Sequence, residues 1–539
     1  MIAPKVPGGR SVTRLRRFVS ALVICASATL IAQAPPPFDL VILNGRVIDG
    51  TGAAGRLTDI AIRDGRIVSV GGNFSSGAAT AAIDASGLVV TPGFIDVHTH
   101  ADDIASRPFA ENFAQMGVTT IVAGNCGSSA LDVGDELDEI RNKGISINFA
   151  TLIGHNTVRQ SVMGSADRVP TIDEIAKMKS IVFKAMADGA VGFSTGLQYI
   201  PGTYAKTNEI TELMRVAANE GGIYATHMRN EGTALEDAIR ESINIAELTN
   251  ARLEISHLKV DSPKRWGAAS IALNLIDDAR KRGVNVQADQ YAYTAGSSSL
   301  SIRFPSWALE GGRPEVAKRL NDPATWAKIK AEMKALLEER GFTDLSWAAI
   351  ATYRADPSLN GLTMKAVAEK LKGSGSADAQ LEAARDIQLG GGASMVYHLM
   401  SDADVATIMR HPFVSIASDA AINALGEGVP HPRGYGDNAR VFGKFVREDK
   451  VISLEEAVRK MTFLPARHFG FADRGIIKTG AAADLVIFDP AKITEQATYA
   501  SPHAYPSGIA TVIVNGIVTV RSGKHTGAKA GQVVTLSTK

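Results

Sequence analysis

Two cysteines in 539 residues is very little, and their positions make it less. Cys25 falls inside an N-terminal stretch that reads as a leader, so only Cys126 is left in the mature chain and an intrachain disulfide framework is excluded. An excess of charge is missing as well. The 57 basic and 56 acidic side chains leave a formal net charge of +1, which provides no electrostatic footprint for a nucleic acid or an anionic membrane surface. A small molecule is the expected partner, and nothing in the sequence bears on self-association. There is no repeat at a fixed period of about 20–50 residues, which excludes a solenoid or propeller. The glycine clusters Gly71-Gly72 and Gly390-Gly391-Gly392 are not followed by Lys-Ser/Thr and do not form GxGxxG after a strand, so neither is a phosphate-binding loop.

What is present starts with that leader. Arg10, Arg14, Arg16 and Arg17 form a basic segment, residues 18–32 are apolar but short for a membrane span, and Ala32-Gln33-Ala34 matches a small-residue cleavage site. Residues 1–34 therefore read as a secretory signal peptide, which makes the mature protein exported, periplasmic or secreted. No later stretch is long and apolar enough to cross a membrane.

The rest of the chain divides by texture. Residues 38–93 and 476–530 alternate and turn like hairpins, as in Ile60-Ala61-Ile62-Arg63-Asp64-Gly65-Arg66-Ile67-Val68, and are read as two parts of one discontinuous β-sandwich. Between them, residues 94–475 alternate short apolar runs with helical stretches. Eight strands are expected, at 94–99, 118–123, 147–153, 190–195, 222–227, 252–257, 284–288 and 413–418. Eight parallel strands close a (β/α)8 barrel, so the fold class is α/β with a TIM-like barrel. The long interval before the eighth strand, about residues 303–390, is rich in Lys, Glu and Ala and is expected to be a mostly helical insertion over the barrel mouth.

The chemistry-bearing residues fall at strand ends. His98 and His100 are two apart at the end of the first strand and so face the same side, where both imidazoles reach one ion. Alone, such a pair is weak evidence. The second strand, however, runs into Gly124-Asn125-Cys126-Gly127, the fifth ends at His227, the sixth at His257 and the eighth at Asp419. These are good zinc ligands, the aspartate being suited to ligand or base, and all lie at the C-terminal ends of strands, where barrel active sites are built. The histidines at 155, 398, 411, 468, 503 and 525 show no ligand spacing and are read as surface or supporting groups.

Several segments carry a resemblance: Gly93-Phe94-Ile95-Asp96-Val97-His98-Thr99-His100, Gly124-Asn125-Cys126-Gly127, Tyr199-Ile200-Pro201-Gly202-Thr203-Tyr204, Thr226-His227-Met228-Arg229-Asn230-Glu231, Ile255-Ser256-His257-Leu258-Lys259 and His431-Pro432-Arg433. Together they resemble the N-acyl-D-amino-acid deacylase (D-aminoacylase) branch of the amidohydrolase superfamily, over nearly the whole mature chain. The fourth strand ends Phe193-Ser194-Thr195-Gly196, without the lysine that bridges two metals in many superfamily members. The resemblance implies one tightly held zinc on Cys126, His227 and His257, and a second, weaker metal position using His98 and His100. It also implies Asp419 as ligand and catalytic acid/base, a carboxylate clamp of Lys259, Tyr291, Ser297 and Arg433, and Tyr199 on the scissile carbonyl. The implied substrate is an N-acyl amino acid or dipeptide. A metallo-dipeptidase or carboxypeptidase-like activity on L- or D-residues with a free carboxylate is the alternative. Two departures from the pattern, Ala420 after Asp419 and Asp437-Asn438-Ala439-Arg440 after Gly436, are expected to lie beside the leaving-group pocket.

Overall fold

The computed structural model describes Met1 and residues 37–536; the expected signal peptide, with Cys25, lies outside the described residues. Among the described residues, no helix is long and apolar enough to cross a membrane.

The middle of the chain closes as a ring of parallel strands. The first strand is Phe94–Asp96 continued by Thr99–His100, and it pairs with Val118–Ala123, which pairs with Asn148–Thr151. The third strand resumes at Ile153–Gly154 beside Gly192–Gly196, and Ile223–His227, Leu253–Ile255, Val286–Gln290 and Val414–Ile416 follow in order. Closure comes from the end of the eighth strand, where Ala420 and Ala421 pair in parallel with Thr99 and His100. Every residue of the second strand is buried, as a strand covered on both faces requires. The connecting helices form the outer layer. In Ile172–Asp188, for example, a Thr171–Glu174 capping box starts the helix, Met178, Val182, Ala185 and Met186 bury one stripe, and Gly189 follows its end.

The two chain ends meet in one nine-stranded sheet, joined where Leu485–Phe488 runs antiparallel to Val89–Pro92. Leu40, Ile42, Ile60 and Ile62 from the first part share a core with Leu485, Ile487 and Ile513 from the second. After His525 the chain leaves this sheet and returns to the barrel, where Gly531 bridges Ile145 and Val533 bridges Phe149.

The insertion is built mostly of helices, with one strand of its own. Its helices Arg313–Asn321, Pro323–Arg340, Met364–Lys372 and Ala377–Leu389 are joined by a three-stranded antiparallel sheet, in which Ser394–His398 lies between Ala295–Ser299 and Ala348–Thr352. The first of these strands reads Ala-Gly-Ser-Ser-Ser, which has neither β-branched residues nor apolar alternation to announce it. It carries Ser297 and Ser298 across the barrel mouth.

Candidate active site

The loop Gly124–Gly127 shows how the backbone aims a side chain. Gly124 and Gly127 have φ of 74° and 78°, and Cys126 between them is also left-handed at 53°. At Gly124 a Cβ would lie 2.1 Å from the Leu152 carbonyl oxygen, so only glycine fits. Ser194, on the lysine-free fourth strand, holds this loop by accepting from Gly127 N at 3.0 Å and donating to Gly124 O. The result is a buried thiol pointing into the barrel mouth.

Three histidines surround that sulfur. Cys126 Sγ is 3.3 Å from His98 Nε2, 3.7 Å from His227 Nδ1 and 3.7 Å from His257 Nε2, and the last two nitrogens are 2.8 Å apart. On the other side Asp419 Oδ1 is 3.1 Å from His100 Nε2 and 3.6 Å from His98 Nε2. The two metal groups expected from the sequence are therefore not separate, since Cys126 borders both. Ligands of one tetrahedral zinc stand roughly 3.3–3.6 Å apart, given bonds of about 2.0–2.3 Å. Several lone pairs converge here with few protons to share among them, and a cation satisfies such a donor set; by this test the residues fit zinc.

Groups missed from the sequence orient the imidazoles. The Glu231 carboxylate lies 2.9 Å from His257 Nδ1 and accepts from Lys259 Nζ at 2.6 Å, and Lys259 Nζ is itself 2.7 Å from His257 Nδ1, so the pair brackets the ring on the side away from the thiol. Asp289, at the end of the seventh strand, lies 3.6 Å from His98 Nδ1 and accepts from His257 N at 2.7 Å. Asp96 accepts from the backbone of His98 at 3.2 Å and of Ser418 at 3.1 Å, tying the first strand to the eighth. Asp289 obeys the same strand-end rule as its neighbours and was within its reach, whereas Glu231 lies past the end of its strand, Ile223–His227, and the rule does not single it out.

Electrostatics follow from this crowding. Burial alone pushes the Cys126 thiol up, but the charge of His98 and the hydrogen bonds from the surrounding imidazoles outweigh it and hold the thiol well below its usual value. Asp419 behaves likewise: burial raises it, while Arg433 and the imidazoles bring it well below the ordinary carboxylate range. Tyr199 is driven well above 10 by burial and by the nearby thiol, so its hydroxyl keeps its proton.

The other expected residues line or back the same cavity. Tyr199, Lys259, Tyr291, Ser297 and Asp419 all line it, with Glu231, Ser298, Ile302, Arg303 and Tyr397. Tyr199 OH is 3.3 Å from His227 Nδ1 and accepts from Ser298 Oγ at 3.2 Å. Arg433 lies behind this lining, with Nη1 2.8 Å from Asp419 Oδ2 and its guanidinium 4.6 Å from the centre of the Tyr291 ring. His431 sets the Arg433 backbone by accepting its N–H at 3.0 Å. The cavity is narrow, about 40 Å³.

One expectation is corrected. Asp437-Asn438-Ala439-Arg440 does not border the cavity. Asp437 is buried and accepts from Ala292 N at 2.7 Å, while Arg440 pairs with Glu495 at 2.6 Å and lies over Tyr293. The segment braces the Tyr291–Tyr293 loop from behind, because it forms a helix, Arg433–Arg440, packed beneath that loop. The histidines outside the ligand spacing also sit elsewhere: His155 bonds Glu209 at 2.9 Å, and His468 bonds the Leu253 carbonyl at 2.9 Å.

A barrel with imidazoles, a thiol and a carboxylate at its strand ends defines a metal-dependent hydrolase, and residues 81–520 match the amidohydrolase family, to which the chain belongs. Within it the chain is 35% identical to the D-aminoacylase of Alcaligenes xylosoxydans xylosoxydans over 523 residues, covering 92% of this chain and 98% of that protein. A crystal structure of D-aminoacylase superposes with a TM-score of 0.80 at 33% identity, covering 92% of this chain and 99% of the other. The N-acyl-D-glutamate deacylase of Bordetella bronchiseptica, solved with zinc and a phosphonate that mimics the tetrahedral intermediate, superposes with a TM-score of 0.77 at 33% identity, over 92% and 99% of the two chains. The resemblance read from the sequence motifs is thereby borne out.

Proposed function

We propose that this chain is a zinc-dependent deacylase that hydrolyses the amide bond of N-acyl-D-amino acids. The observation that carries the reading is the convergence of Cys126, His227 and His257 with Asp419 at the ends of four different strands, in a chain similar to D-aminoacylase along nearly its whole length. Cys126, His227 and His257 would hold the tight ion, and His98, His100 and Asp419 a second, weaker one. Zinc so held supplies a water acidified towards neutrality and a Lewis acid beside the carbonyl.

The residues around it have distinct tasks. Water adds to the acyl carbon and the C–N bond breaks, while Asp419, ionised at neutral pH, takes the water's proton and returns it to the leaving nitrogen. Tyr199 keeps its proton and donates a hydrogen bond to the scissile carbonyl oxygen. Lys259, Tyr291 and Ser297, with Arg433, hold the α-carboxylate of the leaving amino acid, which fixes one residue on that side of the bond. The test is a panel of N-acetyl-D- and N-acetyl-L-amino acids and dipeptides, assayed for amine release with zinc-replete enzyme. Turnover confined to L-dipeptides would replace this reading with a metallo-dipeptidase.

The basic segment, apolar run and small-residue site of residues 1–34 support a further part of the proposal, export with removal of the leader. N-terminal sequencing of the protein recovered outside the cytoplasm tests it, and an intact Met1 there would refute cleavage.

A further inference from the structure

Tyr199 lies outside regular structure. It follows the fourth strand, Gly192–Gly196, in an irregular stretch that ends at the short 3-10 segment Gly202–Tyr204. One side chain reaches into that stretch from a neighbouring element. Asn156, on the first turn of the helix His155–Met163, donates from Nδ2 to the Gly196 carbonyl at 3.1 Å and to the Tyr199 carbonyl at 3.4 Å. The same two carbonyls accept from Tyr199 N at 3.1 Å and from Thr203 N at 2.8 Å. The amide therefore ties together the starting points of the two successive turns that carry the phenol.

The packing around this amide is close on every side. At Gly127 and at Gly202 a Cβ would lie 2.4 Å from Asn156 Oδ1, and at Gly196 a Cβ would lie 2.0 Å from the Cys126 carbonyl oxygen and 2.7 Å from Tyr199 Cδ2. Glycine at these three positions lets the thiol loop, the amide and the Tyr199 stretch close on one another. Asn156 is buried, and two carbonyl acceptors require the NH2 half of its side chain on this side, with Oδ1 3.3 Å from His155 Nδ1 on the other. Its own backbone is anchored next door, where Thr157 N donates to the Gly127 carbonyl at 3.1 Å. An aspartate of the same shape has no donor to offer these carbonyls, and an alanine does not reach them.

We propose that Asn156 is a positioning residue for the hydrolysis, holding the Tyr199 backbone so that the phenol meets the scissile carbonyl oxygen as charge develops there. This rests on the deacylase reading above, in which Tyr199 donates to that oxygen, and extends it to a residue that acts through Tyr199. The contacts of the phenol itself, with Ser298 Oγ at 3.2 Å and His227 Nδ1 at 3.3 Å, are made at the hydroxyl and leave the backbone to be fixed from elsewhere. A donor aimed at a developing oxyanion is worth about 10²–10³ in kcat, and a small misplacement forfeits part of that.

The experiment measures kcat, KM and zinc content with N-acetyl-D-methionine and N-acetyl-D-glutamate, in wild type, Asn156→Ala, Asn156→Asp, Tyr199→Phe and the two double variants. Asn156→Asp keeps the size of the side chain and serves where the alanine variant does not fold. The expected result is that each Asn156 variant retains its zinc and lowers kcat about 10-fold or more, with KM changed less than about 3-fold. Once Tyr199→Phe has removed the hydroxyl, the same Asn156 substitution should lower kcat by less than about 3-fold further. Equal losses in the two backgrounds would show a merely structural role and overturn the proposal while leaving the deacylase reading intact. A fall in zinc content would also overturn it, because the amide would then act through the thiol loop, and so would a Tyr199→Phe variant with wild-type kcat. Failure of zinc-replete wild type to hydrolyse either substrate would overturn both readings.

Discussion

The most informative perturbation is Arg433→Ala, because the structure gives Arg433 two jobs. One is the proposed grip on the substrate α-carboxylate. The other is visible in the protein itself, an ion pair with Asp419 at 2.8 Å between buried groups. Loss of a cation from a buried carboxylate costs about 2–5 kcal/mol, which is roughly 30-fold to several thousand-fold in kcat/KM. For an N-acyl amino acid with a free carboxylate, both losses apply. For its methyl ester or amide only the Asp419 pairing is lost, since that substrate has no carboxylate to grip. The difference between the two fall-offs is then a double-mutant cycle with one arm in the ligand, and it isolates the clamp. The assay is steady-state release of amine from matched free-acid and blocked substrates, in wild type and Arg433→Ala, with zinc content checked in each. A fall-off at least about 30-fold larger for the free acid supports the clamp. Equal fall-offs for both substrates would show that Arg433 acts only on Asp419, and Lys259 with Ser297 would then carry the carboxylate.

Three further outcomes are expected. Cys126→Ser should sharply lower the zinc that co-purifies with the protein from about one equivalent, measured by mass spectrometry of the metal, and an unchanged content would remove the thiolate from the ligand set. Asp419→Asn should leave substrate binding largely in place and lower kcat by about 10²-fold or more, while an unaltered kcat would take Asp419 out of the mechanism. Glu136, on the helix Val133–Lys143, is pushed up to about 8 by burial, with the charge of Asp102 adding to the effect, and its Oε2 has no partner. Unfolded glutamate titrates near about 4.3, so between that pH and about 8 the folded state holds a proton that the unfolded state has lost, and stability falls as pH rises. Glu136→Gln should therefore melt with the wild type at pH 4 and a few degrees above it at pH 8; a gap independent of pH would refute the argument.

Much of the barrel was legible because each strand is a short apolar run followed by a chemically loud residue. His98, Cys126, His227, His257 and Asp419 mark the ends of five strands and meet as expected. Strand boundaries were less legible. The seventh strand runs Val286–Gln290 rather than 284–288, and the first and eighth are interrupted at Val97-His98 and Ala417–Asp419, where Asp419 N bonds the His98 carbonyl at 2.9 Å in place of regular pairing. That exchange depends on two segments more than 300 residues apart, and no local pattern encodes it. The roles of Glu231 and Ser298 have the same character. Each side chain is unremarkable in sequence and acquires a partner only when the barrel closes or the insertion folds over its mouth.

Backbone strain gives this closure a functional sense. Cys126, His257 and Asp419 are non-glycine residues with φ of 53°, 37° and 53°, a region that costs about 1–2 kcal/mol for an ordinary L-residue. A strand that simply continued would alternate its side chains across the wall of the barrel, and the residue after the last pair would point wherever the loop took it. The left-handed turn instead aims each of these three side chains inward at the point where pairing stops. It is held there by specific bonds, His257 N to Asp289 Oδ1 at 2.7 Å and Asp419 N to the His98 carbonyl at 2.9 Å. These bonds run between neighbouring or closing strands, so the strain at His257 and Asp419 is held by the ring itself. The same bonds that close the barrel therefore fix the imidazole and carboxylate, and Ser194 fixes the loop that carries the thiol, before any ligand arrives, which is the preorganisation that hydrolysis at a metal requires.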